Sequence, residues 1–127
     1  MTTLSIRSYH LDGYGHVNNA RYLEFLEEAR WAWFEAAGLL PLLGDTQLVV
    51  SRIDIRYRRG ATEGDRLDIR SRLKEIQPRR ILIFQSIALQ TGKTCTEAEV
   101  TLIPVQQGRA VSLSTELQQQ LTLLYQP

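Results

Sequence analysis

The sequence is short of the residues that staple small secreted folds or serve as strong nucleophiles. Cys95 is the only cysteine among 127 residues, so no internal disulfide is available, which fits a reducing compartment. No purely apolar run exceeds a few residues, too short for a helix across a bilayer. The N-terminal Met1-Thr-Thr-Leu-Ser-Ile-Arg7 lacks the basic-then-apolar order of an export signal. The expectation is a cytoplasmic protein. Neither sign of charge dominates: 15 Lys and Arg against 14 Asp and Glu leave a net charge of +1, which gives no field to draw nucleic acid or an anionic membrane. Repeats, low-complexity tracts and linkers are missing too, so a single domain over residues 1–127 is expected.

What is present is 43% apolar and 23% charged residues, ordinary for a globular protein. Residues 3–9 alternate, with Leu4 and Ile6 on one side and Ser5 and Arg7 on the other, the period of a half-buried strand. Residues 10–18 break that pattern with Gly13 and Gly15. From Asn19 to Ala37 the period becomes helical. Tyr22, Leu26, Ala29 and Trp33 form a stripe, Leu23, Phe25, Phe34 and Ala37 widen it, and Glu24, Glu27, Glu28 and Glu35 take the other face. Asn18 or Asn19 can cap its start and Gly38 its end. Such a helix is about 28 Å long, and its wide aromatic stripe calls for a sheet around it.

The remainder reads as strands: 47–58 with a phase slip near Ser51 and Arg52 that suggests a bulge or a bend, 65–76, 81–89 apolar on both faces, 94–105, and a short stretch at 109–113. Thr91-Gly92 is a tight turn. Ser114 caps a last helix lined by Leu117, Leu121 and Leu124. One strand, a long helix and then consecutive strands on short connections make an α+β plan with an antiparallel sheet around one helix.

The loop at 10–22 holds both histidines, the acid Asp12 and two glycines, and three chemistries can be proposed for it. Gly13-Tyr-Gly-His-Val-Asn18 is part of a dinucleotide fingerprint, but the third glycine and the following βαβ unit are absent. His10, Asp12 and His16 could form a two-histidine, one-carboxylate metal set, although all three would come from seven residues. No Gly-x-Ser-x-Gly elbow exists, and with both histidines in one loop a serine triad is hard to assemble. Cys95 suits a small buried apolar role. A carboxylate is left. Asp12 suffices for an activated substrate such as a thioester, deprotonating water or attacking the carbonyl itself, with N–H groups at the start of the 19–37 helix to bind the oxyanion. Asp12-Gly13 equally suits a plain turn.

The string Asp12-x-x-Gly15-His-Val-Asn-Asn-Ala-Arg-Tyr-Leu-Glu-Phe-Leu-Glu-Glu-Ala-Arg30 resembles the signature of hotdog-fold acyl-CoA thioesterases of the 4-hydroxybenzoyl-CoA thioesterase type. With Tyr9-His-Leu-Asp12, Trp31 and Ile55-Arg-Tyr-Arg-Arg59 it is most similar to the bacterial long-chain acyl-CoA thioesterase III branch. The resemblance implies a hotdog fold, a curled sheet wrapped around the long helix. It also implies a homodimer or homotetramer with active sites at the subunit interface, and hydrolysis of long-chain acyl-CoA with no cofactor beyond the coenzyme A of the substrate. It puts the catalytic acid at Asp12 and the carbonyl-polarising N–H near Asn19, with His16 and Asn18 shaping the site or holding water. Two positions depart from the pattern: His10 stands where many relatives carry a second acid, and Gly60 where proline often follows the arginine pair. The same fold also hosts enoyl-CoA hydratases and non-catalytic acyl-CoA-binding modules.

Tyr14 lies inside the motif as a candidate substrate contact. Arg58, Arg59, Arg79 and Arg80 sit at strand ends, and by the resemblance they could meet the nucleotide diphosphate arm of coenzyme A, since Arg pairs well with phosphate. Solvated strand-end charge that discourages edge pairing is the plainer use of each.

Overall fold

The structure is a computed structural model and describes residues 1–125. Strand β1 (Thr2–Ser5) leads through a 3-10 turn at Ser8–His10 and the Asp12 loop into helix α1 (Asn19–Ala36). Strands β2 (Gln47–Tyr57), β3 (Arg66–Gln77), β4 (Arg80–Leu89), β5 (Thr94–Gln106) and β6 (Arg109–Ala110) follow, then helix α2 (Thr115–Leu124). The sheet order is β1-β3-β4-β5-β2, with β6 paired antiparallel to the end of β5. Strand β1 lies antiparallel to β3, Leu4 opposite Leu67. The α+β plan is therefore present, with its expected elements. The first strand is shorter than the alternation suggested, because the chain turns at Ser8.

Contacts divide the chain into two compact units that take alternate lengths of the same strands. One combines residues 1–33, 55–71 and 85–98. Its buried side chains include Ile6, Val17, Tyr22, Phe25, Leu26 and Ile87. The helix begins here because the Asn18 side-chain oxygen accepts the Ala20 N–H at 2.9 Å, filling one of the donors a helix start leaves free. One polar group lies deep inside: Gln85, fully buried on β4, donates to the Leu26 carbonyl (3.0 Å) and Ser71 Oγ (2.9 Å) and accepts from buried Arg30 (3.1 Å). Apolar periodicity did not foretell this, since Arg30 falls among the charges of α1 and Gln85 inside an apolar strand.

The other unit combines residues 34–54, 72–84 and 99 onward. There α1 ends as Gly38 takes φ +71, letting the Leu39 N–H reach the Phe34 carbonyl (3.0 Å) and the Gly38 N–H the Glu35 carbonyl (3.0 Å). This pattern closes the last turn with a left-handed residue, and Leu39 and Phe34 are both buried beside it. Ser114 caps α2 by accepting the Leu117 N–H at 3.1 Å, and Leu117 and Leu121 are buried, whereas Leu124 is exposed. Strand β2 runs unbroken, but its half-buried positions pass from Leu48 to Ile53 and Ile55. The phase slip read from the sequence is there as a change of face.

Candidate active site

The Asp12 loop is a closed hairpin. Leu11 bridges Val17, the Asp12 N–H donates to the His16 carbonyl at 2.8 Å, and the Asn18 N–H donates to the His10 carbonyl at 3.0 Å. One carboxylate oxygen of Asp12 accepts the N–H of Tyr14 (2.8 Å) and of His16 (3.3 Å). Its other oxygen makes no hydrogen bond among the described residues. Gly15 allows this closure with φ +78, a conformation costly for other residues. Asp12 thus shapes its own turn with one oxygen, and the second is not used in that turn.

The N–H groups that follow can be taken one by one. Gly15 donates to the Asp12 carbonyl, Val17 to that of Ala61 and Asn18 to that of His10. Ala20 and Arg21 donate to the Asn18 side-chain oxygen and carbonyl. The Asn19 N–H is left without an acceptor among the described residues. It is the first helical N–H, where the helix dipole favours negative charge.

Two further side chains hold this helix start. The Tyr57 hydroxyl, at the end of β2, donates to the Asn19 carbonyl at 3.2 Å. The buried Tyr22 hydroxyl accepts the Ala61 N–H at 3.1 Å, and the Tyr22 and Tyr57 rings lie 5.7 Å apart. The Asn19–Ala20 peptide is therefore clamped at both ends, by Tyr57 and by Asn18. Gly60 packs on the exposed His16: a Cβ there would stand 3.1 Å from the ring. Gly60 thus bears on the site as well as on a turn. The sequence reading named Tyr57 and Gly60 beside the Arg58-Arg59 pair but gave neither a place at the site.

His10 is turned elsewhere. It is buried, its ring stands edge-on to Phe25, and its Nδ1 accepts the Arg7 N–H at 2.9 Å. That bond needs the neutral ring with its proton on Nε2. Burial, then the neighbouring Arg21 charge, lowers its pKa from the ordinary imidazole value. Together with Arg21, Glu24, Phe25 and Trp31 it lines a surface cleft of about 510 Å³ that does not include Asp12. His10, Asp12 and His16 do not converge as ligands: among the described residues no three His, Cys, Asp or Glu side chains could hold a metal ion.

A family model of the thioesterase-like superfamily matches residues 6–121. The chain belongs to the thioesterase-like superfamily. It is 39% identical over 125 residues to the long-chain acyl-CoA thioesterase FadM of Escherichia coli K12, covering 94% of this chain and 95% of that protein. The crystal structure of the probable thioesterase YbaW from Escherichia coli superposes with a TM-score of 0.87 at 37% identity, covering 98% of each chain. A Thermus thermophilus thioesterase crystallised with coenzyme A and zinc has the same fold, with a TM-score of 0.87 at 24% identity over 99% of this chain and 95% of that one. The expected hotdog fold, an antiparallel sheet with a long helix and a C-terminal helix, is the fold of this thioesterase-family chain.

Its candidate substrate residues divide. Tyr14 is 90% exposed at the loop tip, in the same unit as Arg58 and Arg59. Arg58 is ion-paired to Glu97. The Arg58 and Arg59 N–H groups both donate to the Cys95 carbonyl, at 2.7 and 3.2 Å, which marks a bulge just beyond β2. Arg79 and Arg80 belong to the other unit, where Arg79 donates to the Ala110 carbonyl (3.2 Å) and Arg80 pairs with Glu75 (3.2 Å). Among the described residues the Arg59 guanidinium alone of these four has no hydrogen-bond or ion-pair partner. Cys95 is buried, and burial raises its thiol pKa, as suits an apolar core role. No described helix is long and apolar enough to cross a membrane.

Proposed function

We propose that Asp12 and the Asn19 N–H form the catalytic centre for the hydrolysis of acyl-CoA. The reaction itself is that of the thioesterase family and of the relative 39% identical to this chain. The observation that carries the assignment is the accounting of donors at the helix start, where the Asn19 N–H is unused a few residues beyond a carboxylate with one free oxygen. The thioester carbonyl oxygen accepts from Asn19 N–H. The free oxygen of Asp12 takes a proton from water as the water oxygen bonds to the carbonyl carbon, or it attacks that carbon itself and the resulting anhydride is hydrolysed. The oxyanion forms against the helix N-terminus, the C–S bond breaks, and the coenzyme A thiolate takes up the proton. His16, braced by Gly60, and the capping Asn18 shape the site.

The acyl chain is long, as in the named relative. Arg59 is the best placed of the four arginines for the phosphates of coenzyme A, because its charge is uncommitted, with Tyr14 beside the same loop; Arg58, Arg79 and Arg80 are secondary contacts. The reaction as proposed uses no metal and no cofactor beyond the substrate's coenzyme A. The 127 residues form one hotdog domain that acts in the cytoplasm as a homodimer or homotetramer, with its sites at the subunit interface. Supporting an oligomer, β2 is an 11-residue strand with only β5 beside it in the sheet.

The decisive experiment is thiol release from acyl-CoA by the purified protein and by Asp12→Asn. Asparagine can still accept the Tyr14 and His16 N–H groups, so the loop and the melting temperature are retained, while the rate falls by at least about a hundredfold. A variant of full activity overturns the assignment. Single-turnover hydrolysis in oxygen-18 water identifies attack by Asp12 when one label appears in the protein, the result of water adding to the Asp12 carbonyl carbon of the anhydride.

A further inference from the structure

One titratable side chain beside the site takes no part in the chemistry proposed above. His10 ends the 3-10 turn Ser8–His10, and its bonds to Arg7 are reciprocal: the His10 N–H donates to the Arg7 carbonyl at 3.0 Å, and Nδ1 accepts the Arg7 N–H at 2.9 Å. The residue before Arg7 is anchored. The Ile6 N–H donates to the Asp65 carbonyl (2.8 Å), and the Ile6 carbonyl accepts the Gly64 N–H (3.1 Å). The far side of the turn reaches the helix start. The His10 carbonyl accepts the Asn18 N–H, and the Arg21 guanidinium donates to the Tyr9 carbonyl at 3.3 Å. Asn18 supplies the carbonyl of the peptide that bears the Asn19 N–H, and that carbonyl accepts the Arg21 N–H at 2.9 Å.

We infer that His10 is a positioning residue: its neutral ring latches the turn that holds Asn18, and a proton on Nδ1 releases the latch and misaims the Asn19 N–H. The inference rests on the catalytic reading above and adds to it a loss of rate in mild acid. Nδ1 accepts when the ring is neutral with its proton on Nε2, and donates in the imidazolium. With 2.9 Å between Nδ1 and the Arg7 nitrogen, a second proton sets two donors against each other. The turn then opens, because a buried donor without an acceptor is costly.

The groups that face the ring come from its own turn and from α1. Arg7 on the turn and Arg21 on α1 disfavour the imidazolium, whereas Glu24 on α1 favours it. Glu27 and Glu28 line the same cleft, and the Tyr9 and Phe25 rings flank the imidazole at 4.4 and 5.2 Å between centroids. Burial and then Arg21 outweigh Glu24, so the ring titrates below its ordinary value of about 6.5. The unfolded chain therefore binds this proton at a higher pH than the folded chain does. The stability that the latch contributes is complete above about pH 6.5 and is lost as pH falls through the folded value.

The test combines a titration followed by NMR with pH profiles of thiol release. His10 and His16 are the only histidines, so there are two sets of ring-nitrogen signals, and His16→Gln assigns them. The neutral His10 ring carries its proton on Nε2, and it titrates with a midpoint below about pH 6.5 at which the Arg7 and Asn19 N–H signals also shift. Across that midpoint kcat falls about three- to tenfold as pH drops, with KM for acyl-CoA nearly unchanged. His10→Asn puts an amide oxygen near the place of Nδ1 and does not titrate. It keeps kcat within about threefold of wild type at neutral pH and loses that step; any fall left in its profile belongs to other groups. His10→Leu, without an acceptor, has the lowered kcat at every pH; if it does not fold, the wild-type titration and His10→Asn decide. A His10 proton on Nδ1 in the neutral ring, an Asn19 signal that does not follow the His10 midpoint, or an asparagine variant that keeps the step overturns the inference. The titration involves no substrate, so full activity in Asp12→Asn would remove the catalytic reading and leave the measured latch distinguishable from it.

Discussion

At the scale of single residues, the proposed site depends on the fixing of one peptide. The Asn19–Ala20 unit has its carbonyl held by Tyr57 and its N–H by Asn18, which on the proposed assignment aims the neighbouring Asn19 N–H before substrate arrives. A donor oriented in advance stabilises developing charge more than ground-state carbonyl. Tyr57→Phe keeps the ring against Tyr22 and removes only the hydroxyl. The expected result is a kcat lowered about three- to tenfold with KM for acyl-CoA nearly unchanged, and a melting temperature within a degree or two. Loss in KM alone would mean that Tyr57 contacts substrate and does not position the peptide. This residue was not legible in the sequence. Asp12 and the Asn18-Asn19 pair stand in a motif, but a strand-end tyrosine is common, and only the folded chain brings residue 57 against residue 19.

At the scale of elements, most of the architecture was legible because period and caps agree. The α1 stripe, its Asn18 cap and its Gly38 stop each follow from local chemistry, as does the Ser114 start of α2. What escaped was the polar tie between α1 and β4, because hydrophobic periodicity assigns charges to solvent. Burial lowers the pKa of Arg30, and the charge of Glu27 only partly offsets this. The guanidinium forms no ion pair among the described residues, so the Gln85 oxygen is its main compensation. Gln85→Leu is expected to destabilise the fold by about 2–4 kcal/mol, since it leaves a buried cation without its acceptor. Arg30→Met added to Gln85→Leu removes the cation too and recovers most of that loss. Urea denaturation midpoints of the two singles and the double, at constant m-value, measure the coupling. Additive losses would show that the two side chains act independently.

At the scale of the whole molecule, the family is legible from the N-terminal third of the chain, whereas the choice of substrate is not. A carboxylate, a helix N-terminus and a near-neutral surface suit any acyl-CoA, and nothing in residues 12–31 measures chain length. If a long acyl chain is bound in an apolar channel, each added methylene contributes about 0.8 kcal/mol, or roughly fourfold in affinity, until the channel is filled. The predicted profile of kcat/KM is a steep rise from butyryl-CoA through decanoyl-CoA and a plateau at the long chains, with the rise carried mainly by KM. The slope depends on apolar burial and the plateau marks channel depth, so both are read from one panel of thiol-release assays on the purified protein. A flat profile with arylacyl-CoA preferred would instead mean a short, ring-shaped pocket, and the long-chain assignment would fall while Asp12 kept its role. Only a substrate panel separates these outcomes, because the two pockets can share the same catalytic loop and differ in side chains far from it.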